Sequence, residues 1–148
     1  MIPGADLSRR LLALCLHLCG NAADAEDALQ ETLLALHLRR FRGQSSFDTF
    51  AYRVALRISL RIKSQRRLGE SATQEQAGSG AGPIEAAAEA KKVLQAMARL
   101  PAEQRAVLSL FAIDGLKHRE IADVLGVPEG TVWSRLHAAR KRLQLELG

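Results

Sequence analysis

Residues 118–147 read HREIADVLGVPEGTVWSRLHAARKRLQLEL, and this stretch decides the fold. Apolar residues recur at helical spacing through 118–125, which predicts a short helix. Gly126-Val127-Pro128 then turns the chain, since glycine tolerates a left-handed backbone. A longer run of helical spacing occupies 129–147. Two helices joined by such a turn are typical of a helix-turn-helix, a motif that binds DNA.

The second helix of this motif is the one expected to contact DNA. Its N-terminal part enters the major groove, where side chains meet base edges and phosphates. Trp133 has an alternative interpretation as a core residue, and the basic stretch 140–142 has one as a solvated helix end. The residues predicted to contact DNA are Thr131, Trp133, Ser134, Arg135, His137, Arg140 and Lys141.

The remaining sequence also follows helical periodicity, and no segment alternates convincingly as a strand would. Aromatic residues make up only 4% of the 148 residues, so aliphatic side chains must build the core, which favours helix packed on helix. Most of 69–90 is rich in Gly and Ser and poor in apolar residues, a composition typical of a flexible linker. We therefore predict an all-α protein in which this linker joins two small helical domains, 1–68 and 91–148, the second one a helix-turn-helix domain.

Three helices are predicted in the N-terminal domain. Leucines three and four residues apart over 7–18 form the apolar stripe of the first, which Gly20 ends in a left-handed turn. The second begins near Asp24 and carries acids opposite its apolar face. The third is predicted over 47–66. The first helix carries Cys15 and Cys19 on one face, which we interpret as small core residues because a zinc site needs two further ligands.

Several functional classes find no support in the sequence. The apolar run 11–19 superficially resembles a secretory signal, but His17 interrupts it and it is shorter than the roughly 20 residues that span a bilayer. No nucleophile–base arrangement, metal cluster or glycine-rich phosphate loop is apparent. We expect a cytoplasmic protein that is not an enzyme, needs no cofactor or metal and does not insert into membranes.

Charge is unevenly distributed, and the formal net charge is +5. Between residues 39 and 67 nine residues are basic and one, Asp48, is acidic. Arg53, Arg57 and Arg61 recur every four residues and form one basic stripe on the predicted third helix. The stripe indicates binding to a phosphate backbone, although ordinary solubilising charge is the alternative.

Two blocks of sequence resemble bacterial sigma factors. The first, residues 24–31, reads DAEDALQE and is similar to their acidic polymerase-binding signature. The second extends from Leu100-Pro101 to Ala139-Arg140 and looks like their promoter-binding C-terminal domain. The order and spacing of the blocks resemble the two-domain extracytoplasmic-function group. The resemblance covers nearly the whole chain outside the linker.

The resemblance implies partners and site residues. The partners are core RNA polymerase, promoter DNA and an anti-sigma factor. Trp133, Ser134 and His137 match positions that read the promoter −35 element, to which we also assign the other predicted DNA contacts of the last helix. The −10 element is assigned to two aromatic residues and the basic stripe: Phe50, Tyr52, Arg53, Arg57 and Arg61. An exposed aromatic there could stack on an extruded base. Docking on polymerase is assigned to Asp24, Asp27, Gln30 and Glu31.

Departures from the family pattern leave the promoter sequence open. The family commonly has Trp where Phe50 stands, Asn where Arg57 stands and Asp where Arg61 stands. Trp133 replaces a more usual Lys or Arg. Two alternative functions also stay open at this point. One is a sigma-like mimic that sequesters an anti-sigma factor, and the other is a stand-alone helix-turn-helix regulator.

Overall fold

The computed structural model describes residues 4–38, 46–69 and 84–148, and all regular structure in these ranges is helical. None of these helices is both long and apolar enough to cross a membrane. The all-α prediction is confirmed. The N-terminal helices are α1 (Ala5–Cys19), α2 (Ala22–Leu38) and α3 (Phe47–Gly69). The C-terminal ones are α4 (Ile84–Ala98), α5 (Ala102–Leu108) with a π-helical turn over Ser109–Ile113, α6 (His118–Leu125) and α7 (Glu129–Leu147).

The predicted linker is shorter than the sequence suggested. Residues 84–90, assigned above to the linker, form the first turns of α4. Four alanines and two glutamates fill this segment, and the high helix propensity of these residues explains the difference. The greater part of the predicted linker, 70–83, lies outside the described residues.

The N-terminal half is a bundle in which α1, α2 and α3 all contact one another. The leucine stripe of α1 is buried as predicted. Cys15 and Cys19 are buried beside it as free thiols, which confirms their interpretation as core residues. Burial raises the pKa of Cys15 to about 11, so this thiol is protonated at neutral pH. Gly20 ends α1 with φ 91°, the left-handed conformation expected there.

The C-terminal half contains the predicted helix-turn-helix. Gly126 adopts φ 69° at the end of α6, and its N–H donates to the Ala122 carbonyl at 2.8 Å. The inward side of α7 is buried through Val132, Leu136 and Ala139. Helices α5 and α6 both contact α7. This packing turns the other side of α7 toward solvent.

The two halves of the described chain are in contact. Helix α1 touches α4, α5 and the π-helical turn, and α3 touches α6. Arg105 is a buried cation at this junction, with 2% of its surface exposed. Its guanidinium donates to the carbonyls of Leu18 at 3.2 Å, Met97 at 3.2 Å and Leu100 at 3.0 Å. Leu18 and Met97 lie in the last turns of α1 and α4, where carbonyls lack partners within the helix. Arg105 therefore joins the N-terminal half to the C-terminal half.

Candidate nucleic-acid and polymerase interfaces

The outer side of α7 is an open surface that carries most of the predicted base-reading residues. Trp133 is 60% exposed, so its interpretation as a core residue is wrong. Ser134, His137 and Lys141 are also exposed, whereas Thr131 is half-buried and its carbonyl accepts the Ser134 hydroxyl at 3.1 Å. These side chains need no rearrangement of the protein to approach a DNA groove.

Two arginines of the same helix are directed to the protein rather than outward. The Arg135 guanidinium lies 3.2 Å from the Glu103 carboxylate of α5. The guanidinium carbon of Arg140 lies 5.0 Å from the centre of the Phe111 ring, a cation–π distance. Arg140 is exposed overall, so it can leave the ring for a phosphate, while Arg135 must first give up an ion pair.

Three aromatic rings form a stacked group at the N-terminal end of this surface. The His118 imidazole stacks on the Trp133 indole with ring centres 4.1 Å apart and planes 23° apart. Phe111 meets the same imidazole edge-on at 5.2 Å. Sequence reasoning missed His118 as a site residue. The available signal was its place as the first residue of α6, the first helix of the motif.

The aromatic part of the predicted −10 surface on α3 is less accessible than the sequence suggested. Tyr52 is 2% exposed, so the expectation of an exposed aromatic is wrong at this position. Its hydroxyl is buried without a hydrogen-bond partner among the described residues, and burial raises its pKa. Phe50 is half-buried and packs against the core. The Tyr52 ring is not available to stack on a base in this arrangement, and the Phe50 residue is only partly exposed.

The basic stripe of α3 is divided among three environments. The Arg53 guanidinium donates from Nε to the Asp123 carbonyl of α6 at 3.0 Å, a contact between the two halves. The Arg61 guanidinium lies 2.7 Å from the Glu31 carboxylate of α2. Arg57 is exposed and has no ion pair within the described ranges. One of the three cations is therefore immediately free for phosphate.

The acidic signature on α2 separates into an inner and an outer set. Asp24 is buried, and its carboxylate accepts from Arg66 at 3.1 Å and from the Asn21 amide at 3.1 Å. The Asn21 side chain in turn caps α2 by accepting the Asp24 N–H at 2.9 Å. Asp27 and Gln30 are exposed, as is Glu31. Asp24 thus fixes the start of α2, and the other three residues face outward.

Asp114 is a half-buried residue at the junction of the halves. It follows the π-helical turn, and its charge acts on Cys15 of α1 and Tyr52 of α3. Its Oδ2 atom is buried and accepts no hydrogen bond from the described residues. Burial raises its pKa to about 7, and Arg10 of α1 acts in the opposite direction. The junction is therefore sensitive to ionisation of this carboxyl.

A helical bundle joined to a helix-turn-helix with an open outer face defines a DNA-binding transcription protein. Residues 5–68 match the family model of Sigma-70 region 2, and residues 90–143 match that of Sigma-70 region 4. The ECF RNA polymerase sigma factor SigL of Mycobacterium tuberculosis is 35% identical over 142 residues, which cover 89% of this chain and 79% of the relative. The ECF RNA polymerase sigma factor SigW of Bacillus subtilis is 27% identical over 93% of this chain and 83% of its own length.

The solved structures agree in fold. The sigma factor RpoE of Bartonella quintana, in complex with the anti-sigma factor NepR, has a TM-score of 0.74 at 24% identity and covers 95% of this chain and 91% of its own. The chain belongs to the extracytoplasmic-function (ECF) family of RNA polymerase sigma factors. Its function is to direct RNA polymerase to promoters for the initiation of transcription.

Proposed function

We propose that this sigma factor uses three separate surfaces, one for polymerase and two for promoter DNA. The observation that carries the proposal is the open outer side of α7, on which Trp133, Ser134 and His137 reach solvent. This surface would read the −35 element. The N-terminal domain, α1 to α3, would bind polymerase and the −10 element. The C-terminal domain, from α4 onward, would carry the −35 surface.

The polymerase surface consists of Asp27, Gln30 and Glu31 on the outward side of α2. Gln30 and Glu31 follow Asp27 by three and four positions, so both are neighbours of Asp27 on the helix surface. Asp24 supports the surface from inside, since its bonds to Arg66 and Asn21 hold the first turn of α2 in place. An acidic surface of this kind would bind a basic partner surface and steer its approach.

The −10 surface consists of the basic stripe and the aromatic residues of α3. Arg57 is available at once, but Arg53 is held by the Asp123 carbonyl and Tyr52 is buried. A single DNA strand would therefore reach Arg53 only after α6 has moved away from α3. Binding of both domains to polymerase would favour that separation and would also raise the effective concentration of each DNA surface at its element.

We further propose an anti-sigma factor as a partner, because two structural neighbours are recorded in such complexes, RpoE with NepR and CnrH with the cytosolic domain of CnrY. We place the protein in the cytoplasm, where core RNA polymerase and promoter DNA are found. We assign it no catalytic activity, since its action consists of binding polymerase and DNA.

Transcription with purified bacterial core RNA polymerase on a library of promoter sequences tests this proposal. We expect transcripts from a defined subset of promoters with the wild-type protein. Asp27→Arg should weaken polymerase binding roughly tenfold or more, because it reverses a charge at the interface. Glu26→Arg is the matched control, since it makes the same charge change at an exposed neighbour outside the proposed set.

The alternative functions give different results in the same experiment. A sigma-like mimic would bind an anti-sigma factor but produce no transcripts from any promoter. A stand-alone regulator would bind DNA without binding core polymerase. Equal losses from Asp27→Arg and Glu26→Arg would contradict the assignment of the polymerase surface.

A further inference from the structure

The α7 surface presents an unusual chemistry for reading bases. Guanine in the major groove offers two acceptors, O6 and N7, which a guanidinium can bind together. Thymine offers one acceptor and a 5-methyl group, which favours contact with an apolar side chain. Trp133 is a large, mainly apolar plane with one donor, so its chemistry suits the thymine methyl better than the guanine acceptors.

The place of Trp133 on α7 brings it to the base edges. It is the fifth residue of the helix that begins at Glu129, within the N-terminal part that a helix-turn-helix inserts into the major groove. Its flanking residues in sequence, Val132 and Ser134, point in different directions: the first is buried and the second is exposed. The indole is 60% exposed, although it is the largest side chain on this helix.

The ring next to Trp133 fixes the direction of the indole. His118 stacks on it at 4.1 Å with planes 23° apart, so the imidazole restricts rotation of the indole. Phe111 contacts His118 edge-on at 5.2 Å, and Arg140 lies over Phe111 at 5.0 Å. The indole is therefore held in one orientation before DNA arrives, which lowers the entropic cost of an ordered contact.

We propose that Trp133 selects thymine at one position of the −35 element by packing against its 5-methyl group, and that His118 is the positioning residue that holds the indole for this contact. The inference rests on the proposed function of α7. It adds three points to that function: thymine as the preferred base, the 5-methyl group as the feature recognised, and His118 as a residue outside the predicted site. A flexible apolar side chain at position 133 would discriminate less, because DNA binding would have to immobilise it.

The first part of the test identifies the position that Trp133 reads. Core RNA polymerase carrying either the wild-type protein or Trp133→Arg selects from promoters with a randomised −35 element. We expect thymine at one position for the wild-type protein and guanine on either strand at that position for the variant. If neither protein enriches any −35 sequence, the proposed function of α7 fails, and this inference fails with it.

The second part tests the methyl group directly. Deoxyuridine replaces thymidine at the identified position, which removes the 5-methyl group and leaves the base-pairing edge unchanged. We expect about a fourfold loss of affinity, the value for removing one buried methyl-sized group. The Trp133→Arg protein should bind the two DNAs equally. If −35 sequences are enriched but the wild-type protein binds both DNAs equally, or if no thymine position responds to Trp133→Arg, the inference is overturned while the proposed function stands.

The third part tests the positioning role of His118. The readout is the affinity for thymidine-containing DNA divided by the affinity for deoxyuridine-containing DNA. His118→Ala should reduce this affinity ratio toward one, and His118→Phe should restore it because a stacking ring is retained. The ratio compares two DNAs with one protein preparation, so a partly unfolded variant does not change it. If His118→Ala kept the wild-type affinity ratio, His118 would not position the indole.

Discussion

The two DNA surfaces proposed for this sigma factor differ in how far the protein itself covers them. On α7 the Trp133 side chain is 60% exposed, while on α3 the Tyr52 side chain is 2% exposed. Arg53 of α3 is also bonded to the Asp123 carbonyl of α6. The same C-terminal half thus presents one proposed DNA surface to solvent and binds Arg53 of the other.

This difference suggests an order of events at a promoter. Trp133, Ser134 and His137 of the proposed α7 surface are already exposed, so they would reach duplex DNA without a change in the protein. Full use of the α3 surface would require the halves to separate, because Arg53 binds the Asp123 carbonyl of α6, and separation would also break the contact of Arg105 with Leu18. Recognition of the duplex would therefore precede capture of a single strand, and any change that loosens the junction should act on the second step.

The largest effect is expected from Arg105→Ala. The substitution removes the guanidinium that donates to Leu18, Met97 and Leu100, and it leaves carbonyls of α1 and α4 without that donor. We expect the free energy of unfolding in urea to fall by about 3 kcal/mol or more, and the radius of gyration from small-angle scattering to increase. Arg99→Ala is the control, because its ion pair with Glu146 at 3.4 Å is exposed and should contribute at most about 1 kcal/mol. An unchanged radius would show that Arg105 does not hold the halves together.

Charge reversals on α3 and α7 should affect different steps, namely capture of a single strand and recognition of the duplex. Arg57→Glu should reduce open-complex formation, measured by permanganate reactivity of unpaired thymines, roughly tenfold, because it replaces a phosphate contact by repulsion. Lys141→Glu should instead reduce binding to duplex promoter at low temperature by a similar factor. Both residues are exposed, so neither change should alter folding.

Lys91→Glu on α4 is the matched control for both reversals, since it is exposed and lies outside the proposed surfaces. It should change open-complex formation and duplex binding by no more than about twofold, the range expected for a distant charge at physiological salt. Identical losses of both steps from Arg57→Glu and Lys141→Glu would contradict the division between the surfaces.

Local patterns in the sequence were sufficient to predict the helices and the exposed reading surface. The leucine spacing of α1, the left-handed glycines 20 and 126, and the inward side of α7 all depend on residues within one or two helical turns. The exposure of Trp133 followed from the neighbouring apolar residues that already defined the inner face of α7. Such features can be predicted because helical periodicity places each side chain relative to its neighbours.

Contacts between distant residues could not be predicted in the same way. Asp24 was placed on the outer acidic face, but it pairs with Arg66 of α3, 42 residues away. Tyr52 was expected to be exposed, but its ring is buried and the guanidinium carbon of Arg10 of α1 lies 5.5 Å from the ring centre. Arg105 binds Leu18, 87 residues away. Helical periodicity gives the direction of a side chain but not the element that it meets.

The closed junction should also respond to pH through Asp114. Its pKa is about 7 in the closed arrangement and would return toward 3.8 if the carboxyl were exposed to water. The closed form therefore binds more protons, and its stability relative to the separated form should fall as pH rises through about 7. We expect the radius of gyration to be larger at pH 8 than at pH 5.5. Asp114→Asn should remove most of this dependence, and an equal dependence in the variant would assign it to another group.

The smallest effect is expected at the boundary between the polymerase surface and the −10 surface. Glu31 and Arg61 form an ion pair at 2.7 Å, with about half of each side chain exposed. A double-mutant cycle with Glu31→Gln and Arg61→Gln in urea unfolding should give a coupling energy of about 0.5 kcal/mol, because exposed pairs are weak. A coupling this small would allow Arg61 to exchange Glu31 for a DNA phosphate, and Glu31 to exchange Arg61 for polymerase, at little cost. A coupling above about 2 kcal/mol would instead make the pair a structural element and remove both residues from the proposed surfaces.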